Sequence, residues 1–137
     1  MALAGAGNVS GGANPSGTGS SINYIGDHVY AYSGVISVTN AATTMLQFNT
    51  ASEGYILADI QMFCGDSETN DFDFALKING ETISNLQLDN TPQQYAYGNY
   101  PLQVILAPDS RVEIIMSNQS SSTGREWTIS LTGRVYA

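Results

Sequence analysis

Apolar and polar residues alternate along most of the chain after residue 27, and clusters of turn-forming residues separate the alternating runs. A period of two places successive side chains on opposite faces of a β-strand. The clearest example sets Phe72 and Phe74 in one phase and Asp71 and Asp73 in the other. The pattern predicts eight strands and no helix, at residues 29–38, 45–49, 55–64, 71–79, 81–88, 102–106, 111–117 and 126–136.

Two local signals refine this pattern. Asn79-Gly80 between two alternating runs is typical of a two-residue hairpin turn, because both residues tolerate positive φ. The apolar phase of the following run changes between Ile83 and Leu86, which predicts a bulge or bend in that strand. In the last run, Trp127 shares its phase with the aliphatic residues, so we expect it in the core.

Strands with one apolar and one polar face pack as two antiparallel sheets with the apolar faces together. Eight such strands in about 110 residues fit a jelly roll. The predicted fold class is therefore all-β, an eight-stranded antiparallel jelly-roll sandwich with an extended N-terminal arm. An immunoglobulin-like sandwich is the alternative architecture, although its Cys…Trp…Cys pattern is absent.

The N-terminal segment differs from the rest of the chain. Residues 1–21 contain neither a charged nor an aromatic residue and consist mainly of Gly, Ala, Ser, Asn and Thr. Such a segment cannot bury enough apolar surface to offset its ordering entropy alone. We therefore expect an arm at 1–27 and a sandwich domain at 28–137. The apolar residues available to anchor the arm on a partner are Leu3, Val9, Ile22, Tyr24 and Ile25.

Composition excludes several classes of function. The chain has 137 residues, 12% of them charged, and only 4 are Lys or Arg, so its net charge is −8. So few cations cannot neutralise many phosphates, which argues against nucleic-acid binding. No run of about 20 apolar residues is present, so we expect no membrane span. The start of the chain lacks the basic and apolar regions of a secretory signal, so we expect synthesis in the cytoplasm.

Catalytic and metal-binding signatures are missing from the sequence. His28 is the single histidine and no Gly-x-Ser-x-Gly elbow accompanies it, so we interpret it as a surface residue. Cys64 falls in the apolar phase of its strand and is expected to behave as a small hydrophobic residue. One His and one Cys cannot form a zinc site. We expect no cofactor and no enzymatic activity.

Two polar segments remain as candidate binding sites. Asp66, Glu68, Asp71 and Asp73 could supply oxygen ligands to calcium, but their spacing does not match the helix–loop–helix calcium loop, and we favour a solvated turn.

The second segment is a loop that is rich in tyrosine and amide residues. Its rings could stack on a sugar or a protein partner, or could instead cover the open end of the sandwich. The tyrosines are Tyr95, Tyr97 and Tyr100.

The last strands carry a family resemblance. The segments Ile-Leu-Ala-Pro-Asp-Ser-Arg-Val-Glu-Ile at 105–114 and Glu-Trp-Thr-Ile-Ser-Leu-Thr-Gly at 126–133 resemble the closing strands of virion-associated jelly rolls and of tumour-necrosis-factor-like trimers. With the small-residue arm, the chain looks like the jelly-roll cement, or decoration, proteins of tailed-phage capsids. The resemblance implies a homotrimer on the outer capsid surface. It also implies contacts to the major capsid protein and to neighbouring cement subunits.

These observations lead to competing expectations about function. The first is a non-enzymatic structural protein of a viral particle, which stabilises the shell and uses its arm as a clamp. The alternatives are a carbohydrate-binding, lectin-like module and a virion spike or fibre head. A glycoside-active enzyme is a further alternative.

Overall fold

The computed structural model describes residues 22–64, 71–89 and 102–137. Within these ranges every regular element is a β-strand, and all pairings are antiparallel. The strands are β1 (Asn23–Ile25), β2 (His28–Tyr32), β3 (Ile36–Val38), β4 (Thr43–Asn49), β5 (Tyr55–Cys64), β6 (Asp71–Ile78), β7 (Glu81–Asp89), β8 (Leu102–Leu106), β9 (Arg111–Asn118) and β10 (Arg125–Tyr136).

The strand order identifies the architecture. The larger sheet runs β1-β2-β10-β5-β8, with β3 also paired to β10, and the smaller sheet runs β4-β9-β6-β7. If β2 and β3 are taken as one interrupted first strand and β1 is set aside, the orders become 1-8-3-6 and 2-7-4-5. That alternation between two sheets is the jelly roll. The predicted all-β antiparallel sandwich is confirmed, whereas the predicted arm at residues 1–21 lies outside the described residues.

Two glycines explain why the structure has more strands than the sequence predicts. Gly34 has φ of 72° and interrupts the predicted run at 29–38, so β2 and β3 form separately. Gly26, with φ of 59°, begins a two-residue turn that folds β1 back onto β2. Because β1 has only three residues, its alternation is too short to reveal a strand in the sequence.

Residues 22–27 require a correction to the predicted arm. The β1–β2 hairpin places Tyr24 opposite Val29 on the inner face, where its hydroxyl accepts a hydrogen bond from the amide of Ala51 at 2.8 Å. Ile22 is fully buried and Tyr24 is 3% exposed, so both belong to the core of the sandwich. The sandwich therefore begins at residue 22 or earlier, since residues 1–21 lie outside the described residues.

The core lies between the two sheets and confirms several predictions. Trp127 of β10 is fully buried and meets Phe72 of β6 edge to face, with ring centroids 5.1 Å apart. Asn79 and Gly80 both have positive φ, as the predicted hairpin requires. The pairing of β6 with β7 shifts by one residue and leaves Ile83 as the extra residue of a bulge.

Candidate functional site

The outer face of the larger sheet concentrates exposed apolar side chains. In these strands the inward positions fill the core, so the alternate positions face outward. Nine large apolar side chains are clearly exposed among the described residues, and seven of them lie on this face. They are Ile25, Tyr32, Tyr55, Leu57, Phe63, Ile105 and Tyr136. We call this surface the outer face of the larger sheet.

The outer face of the smaller sheet has a different composition. Its outward positions include five charged residues and none of the nine exposed large apolar side chains. The charged residues are Asp71, Asp73, Lys77, Arg111 and Glu113. This face is an ordinary solvated surface, whereas the outer face of the larger sheet is not.

A shallow depression of about 440 Å³ lies within the outer face of the larger sheet. The pairing register puts Tyr30, Thr132, Asp59 and Gln103 in one row across four strands. Among the described residues, Asp59 Oδ1 is buried without a hydrogen-bond partner. The depression is lined by His28, Leu57, Asp59, Gln103, Thr132, Gly133, Arg134 and Tyr136.

One rim of this face is held by charged side chains. Asp27, in the β1–β2 turn, accepts a hydrogen bond from the Arg134 guanidinium of β10 and lies 3.2 Å from His28 Nδ1. The hydrogen bond from Arg134 lowers the pKa of Asp27 below its usual 3.8, and the same contact raises the pKa of Arg134. The Arg134 charge is therefore already matched within the chain. His28 is exposed, as the sequence predicts.

Gly133 allows β5 and β10 to approach closely beneath the depression. A Cβ atom at this position would lie 2.3 Å from the carbonyl oxygen of Leu57 and 3.0 Å from Cα of Ala58. Both neighbours are backbone atoms of the paired strand, so they cannot move aside without opening the sheet. The close pairing of β5 and β10 at this position therefore requires glycine.

A second concave surface lies where β7 of the smaller sheet faces β8 of the larger one. It consists of two adjoining depressions of about 190 and 490 Å³, which share Ile83, Gln103 and Val104. We call it the edge groove. Its other lining residues are Leu57, Leu76, Ser84, Leu102 and Ile105, so none of the described residues that line it is charged.

The predicted anchors of the arm fall in different places. Ile22 and Tyr24 are core residues, and their burial leaves Ile25 as the exposed one of the three anchors that the structure describes. Leu3 and Val9 lie outside the described residues.

The other predicted sites are only partly covered by the structure. Tyr95, Tyr97 and Tyr100 lie outside the described residues, as do Asp66 and Glu68. Asp71 is exposed and Asp73 is half-buried, both at outward positions of β6. Among the described residues, no three His, Cys, Asp or Glu side chains come together to hold a metal ion.

The sequence of β5 contains a signal for exposed apolar residues on the outer face of the larger sheet, which alternation alone does not reveal. In β5, both phases are apolar at several positions: Ile56 and Ile60 fill the core, while Tyr55, Leu57 and Phe63 face outward. A strand that is apolar in both phases indicates cover on both faces. The register between strands is also needed to recognise this surface, because only the pairings show that β2, β8 and β10 add residues to it.

Comparisons with known proteins place few constraints on function. The sequence matches no described protein family and no curated protein. Among solved structures, the chain is similar to the EclA C-terminal domain, described as a sugar-binding protein, with 20% identity and a TM-score of 0.37. The similarity covers 71% of this chain and 74% of that one, and it is too distant to identify a function. Within the described ranges, no helix has the length and apolarity to cross a membrane.

Proposed function

We propose that this protein is a non-enzymatic structural protein of a viral particle, a capsid decoration protein that self-associates through the outer face of its larger sheet. The observation that carries self-association is the concentration of seven of the nine exposed large apolar side chains on that face. The resemblance of residues 105–114 and 126–133 to virion jelly rolls supports the location on a capsid. Residues 1–21 then attach the assembly to the major capsid protein.

The chemistry of this face matches that of protein interfaces. Interfaces are enriched in aromatic residues and depleted of Lys, Glu and Asp at their centres. Three exposed tyrosines, Phe63 and Leu57 face outward here, and a face that exposes this many large apolar side chains is typical of association sites. Tyr30 and Tyr32 also lie side by side, with ring centroids 5.1 Å apart, which gives a rigid aromatic surface.

Electrostatics favour this face over the opposite one. Only Asp59, Glu126 and Arg134 place charges at outward strand positions of the larger sheet, in a chain with net charge −8. Removing charges from water is costly unless each finds a partner. The smaller sheet would bury five charges in the same arrangement, so self-association through the larger sheet has the lower desolvation cost.

Self-association would also suit a decoration protein mechanically. An oligomer carries several copies of residues 1–21 and can contact several shell subunits at once. Such multivalent attachment raises the overall affinity far above that of one contact. A homotrimer is the stoichiometry that the resemblance implies, and neighbouring trimers would contact each other on the shell.

The mass of the purified full-length protein in solution tests self-association directly. We expect a trimer by light scattering, and we expect the double variant Leu57→Asn/Ile105→Asn to be a monomer with an unchanged circular dichroism spectrum. Asn85→Ser/Gln87→Asn, on the outer face of the smaller sheet, is the matched control and should remain a trimer. A monomeric wild-type protein, or a double variant that stays trimeric, would overturn the proposed interface.

Co-sedimentation with shells assembled from the virus's own major capsid protein tests the location. We expect the wild-type protein to sediment with the shells and a variant that lacks residues 1–21 to remain in solution, although it still forms trimers. Wild-type protein that stays in the supernatant contradicts the decoration role.

Carbohydrate binding is the second candidate function, and the polar and aromatic lining of the depression favours it. The Asp59 carboxylate, the Gln103 amide and the Tyr136 ring line the same depression and would contact a sugar bound there. The sugar site and the self-association interface occupy the same surface. Binding of the wild-type protein, but not of Asp59→Asn, to a glycan array would therefore favour the lectin function and exclude a permanently buried face.

A further inference from the structure

The edge groove combines open backbone edges with an uncharged lining. Within the described residues, β8 pairs only with β5 and β7 pairs only with β6, so each strand presents one unpaired edge. Such edges accept an added strand through main-chain hydrogen bonds. Ile83, the extra residue of the bulge, is 57% exposed, and Ile105 is 64% exposed. A segment bound here would meet apolar side chains on either side of an unpaired strand.

Residues 1–21 have the composition that this groove requires. They carry no charge, like the groove lining, and their small side chains allow a close approach of backbone to backbone. Leu3 and Val9 supply apolar side chains for the depressions beside Ile83 and Ile105. In contrast, a charged peptide would lose solvation in this groove without gaining a partner charge.

The position of Ile22 brings residues 1–21 within reach of the edge groove of a neighbouring copy. Ile22 leads directly into β1, at one edge of the larger sheet, whereas β8 forms the other edge. The two edges are four strand spacings apart, or about 19 Å, and 21 extended residues span at most about 70 Å. If identical copies form a ring with the outer faces of their larger sheets toward the axis, the β1 edge of one copy lies beside the β8 edge of the next.

We propose that the edge groove binds residues 1–21 of the neighbouring copy as an added strand. This inference rests on the proposed self-association, and it adds a strand-to-strand contact along the β7 and β8 edges, beside Leu57 and Ile105 of the outer face. The segment then has two uses: part of it ties one subunit to the next, and the remainder is available to the shell.

Photo-cross-linking in the full-length protein tests this contact. Ile83 is replaced by p-benzoylphenylalanine, and protein labelled with ¹⁵N is mixed with unlabelled protein before irradiation. Chymotrypsin is the suitable protease because no Lys or Arg precedes Lys77. We expect cross-links from position 83 to peptides of residues 1–21, in pairs that combine one labelled and one unlabelled chain. The same probe at Thr44, on the far edge of the smaller sheet, is the control and should give no such pair.

The outcomes separate this inference from the proposed function. Leu3→Asn/Val9→Asn should abolish the cross-link while light scattering still reports a trimer. A trimer in which position 83 cross-links to residues 90–101, or to residues 1–21 of the same chain, overturns the groove assignment alone. A wild-type monomer overturns the proposed self-association and the groove assignment together.

Discussion

The two outer faces of this sandwich have the same strand geometry but different residue compositions. Each sheet buries one face against the other, and the inner faces contribute equally large side chains, such as Trp127 from one sheet and Phe74 from the other. The outer face of the smaller sheet then follows the usual rule and carries Asp, Glu, Lys and amide residues. The outer face of the larger sheet instead carries tyrosine and aliphatic residues. The contrast supports the proposed association through the outer face of the larger sheet.

The largest expected effect tests whether the difference between the sheets is confined to their outer faces. Trp127→Ala and Phe74→Ala should each lower the free energy of unfolding by about 3–5 kcal/mol, because both remove large, fully buried rings. Trp127→Phe should cost much less, since it retains a ring against Phe72 and removes an indole N–H that is buried without a partner. Urea unfolding measures all three. A loss below about 1 kcal/mol for either alanine variant would show that one sheet contributes little to the core.

Adding a side-chain atom should lower stability more at Gly133 in the larger sheet than at Ala75 in the smaller sheet. Gly133→Ala is expected to lower stability by about 1–3 kcal/mol, because its Cβ would collide with the backbone of β5. Ala75→Ser, at an outward position in the central strand β6 of the smaller sheet, should change stability little. Thermal unfolding compares the two variants. Equal effects would contradict a steric collision with β5 as the cause of the Gly133→Ala loss.

A smaller effect separates association from folding. Tyr32→Ser should raise the dissociation constant of the oligomer about tenfold, as expected for loss of an interface aromatic residue worth at least 1 kcal/mol. Its unfolding free energy should barely change, since the ring is 43% exposed in the single chain. Thr44→Ser, facing outward on the smaller sheet, is the control. Analytical ultracentrifugation over a dilution series gives both constants, and equal values for Tyr32→Ser and wild type would place the interface elsewhere.

The smallest effect concerns the charged rim. Since the Arg134 contact lowers the pKa of Asp27, the carboxylate stabilises the folded state above pH 3.8, and this contribution is lost as the pH falls through the lowered value. Asp27→Asn should therefore melt below wild type at neutral pH, with the difference shrinking below about pH 4. Melting curves from pH 7 to pH 2 measure it. A difference that stays constant across this range would mean that Asp27 acts through its shape rather than its charge.

The sequence predicts the inner half of this structure better than the outer half. Alternation locates the inward residues of β5, β6, β9 and β10, because burial imposes a strict period of two. Alternation does not predict the burial of Ile22 and Tyr24, because a three-residue strand is too short to show a period. Gly26-Asp27 does mark the turn that places β1 against β2. The apolar surface on the outer face of the larger sheet is not predicted from the sequence for another reason. Tyr32, Leu57 and Ile105 are distant in sequence, and only the register between strands makes them one surface.

The burial of Ile22 and Tyr24 has a mechanical consequence. A pull on residues 1–21 is delivered to β1, the short strand at the sheet edge, and β1 can peel from β2 only after two large side chains leave the core. Load on the N-terminal segment is thus resisted by the sandwich interior rather than by a surface hairpin alone. When that resistance fails, three residue pairs separate first, while the long pairing between β5 and β10 remains intact. Under load, we therefore expect β1 to separate from β2 before the rest of the sandwich unfolds.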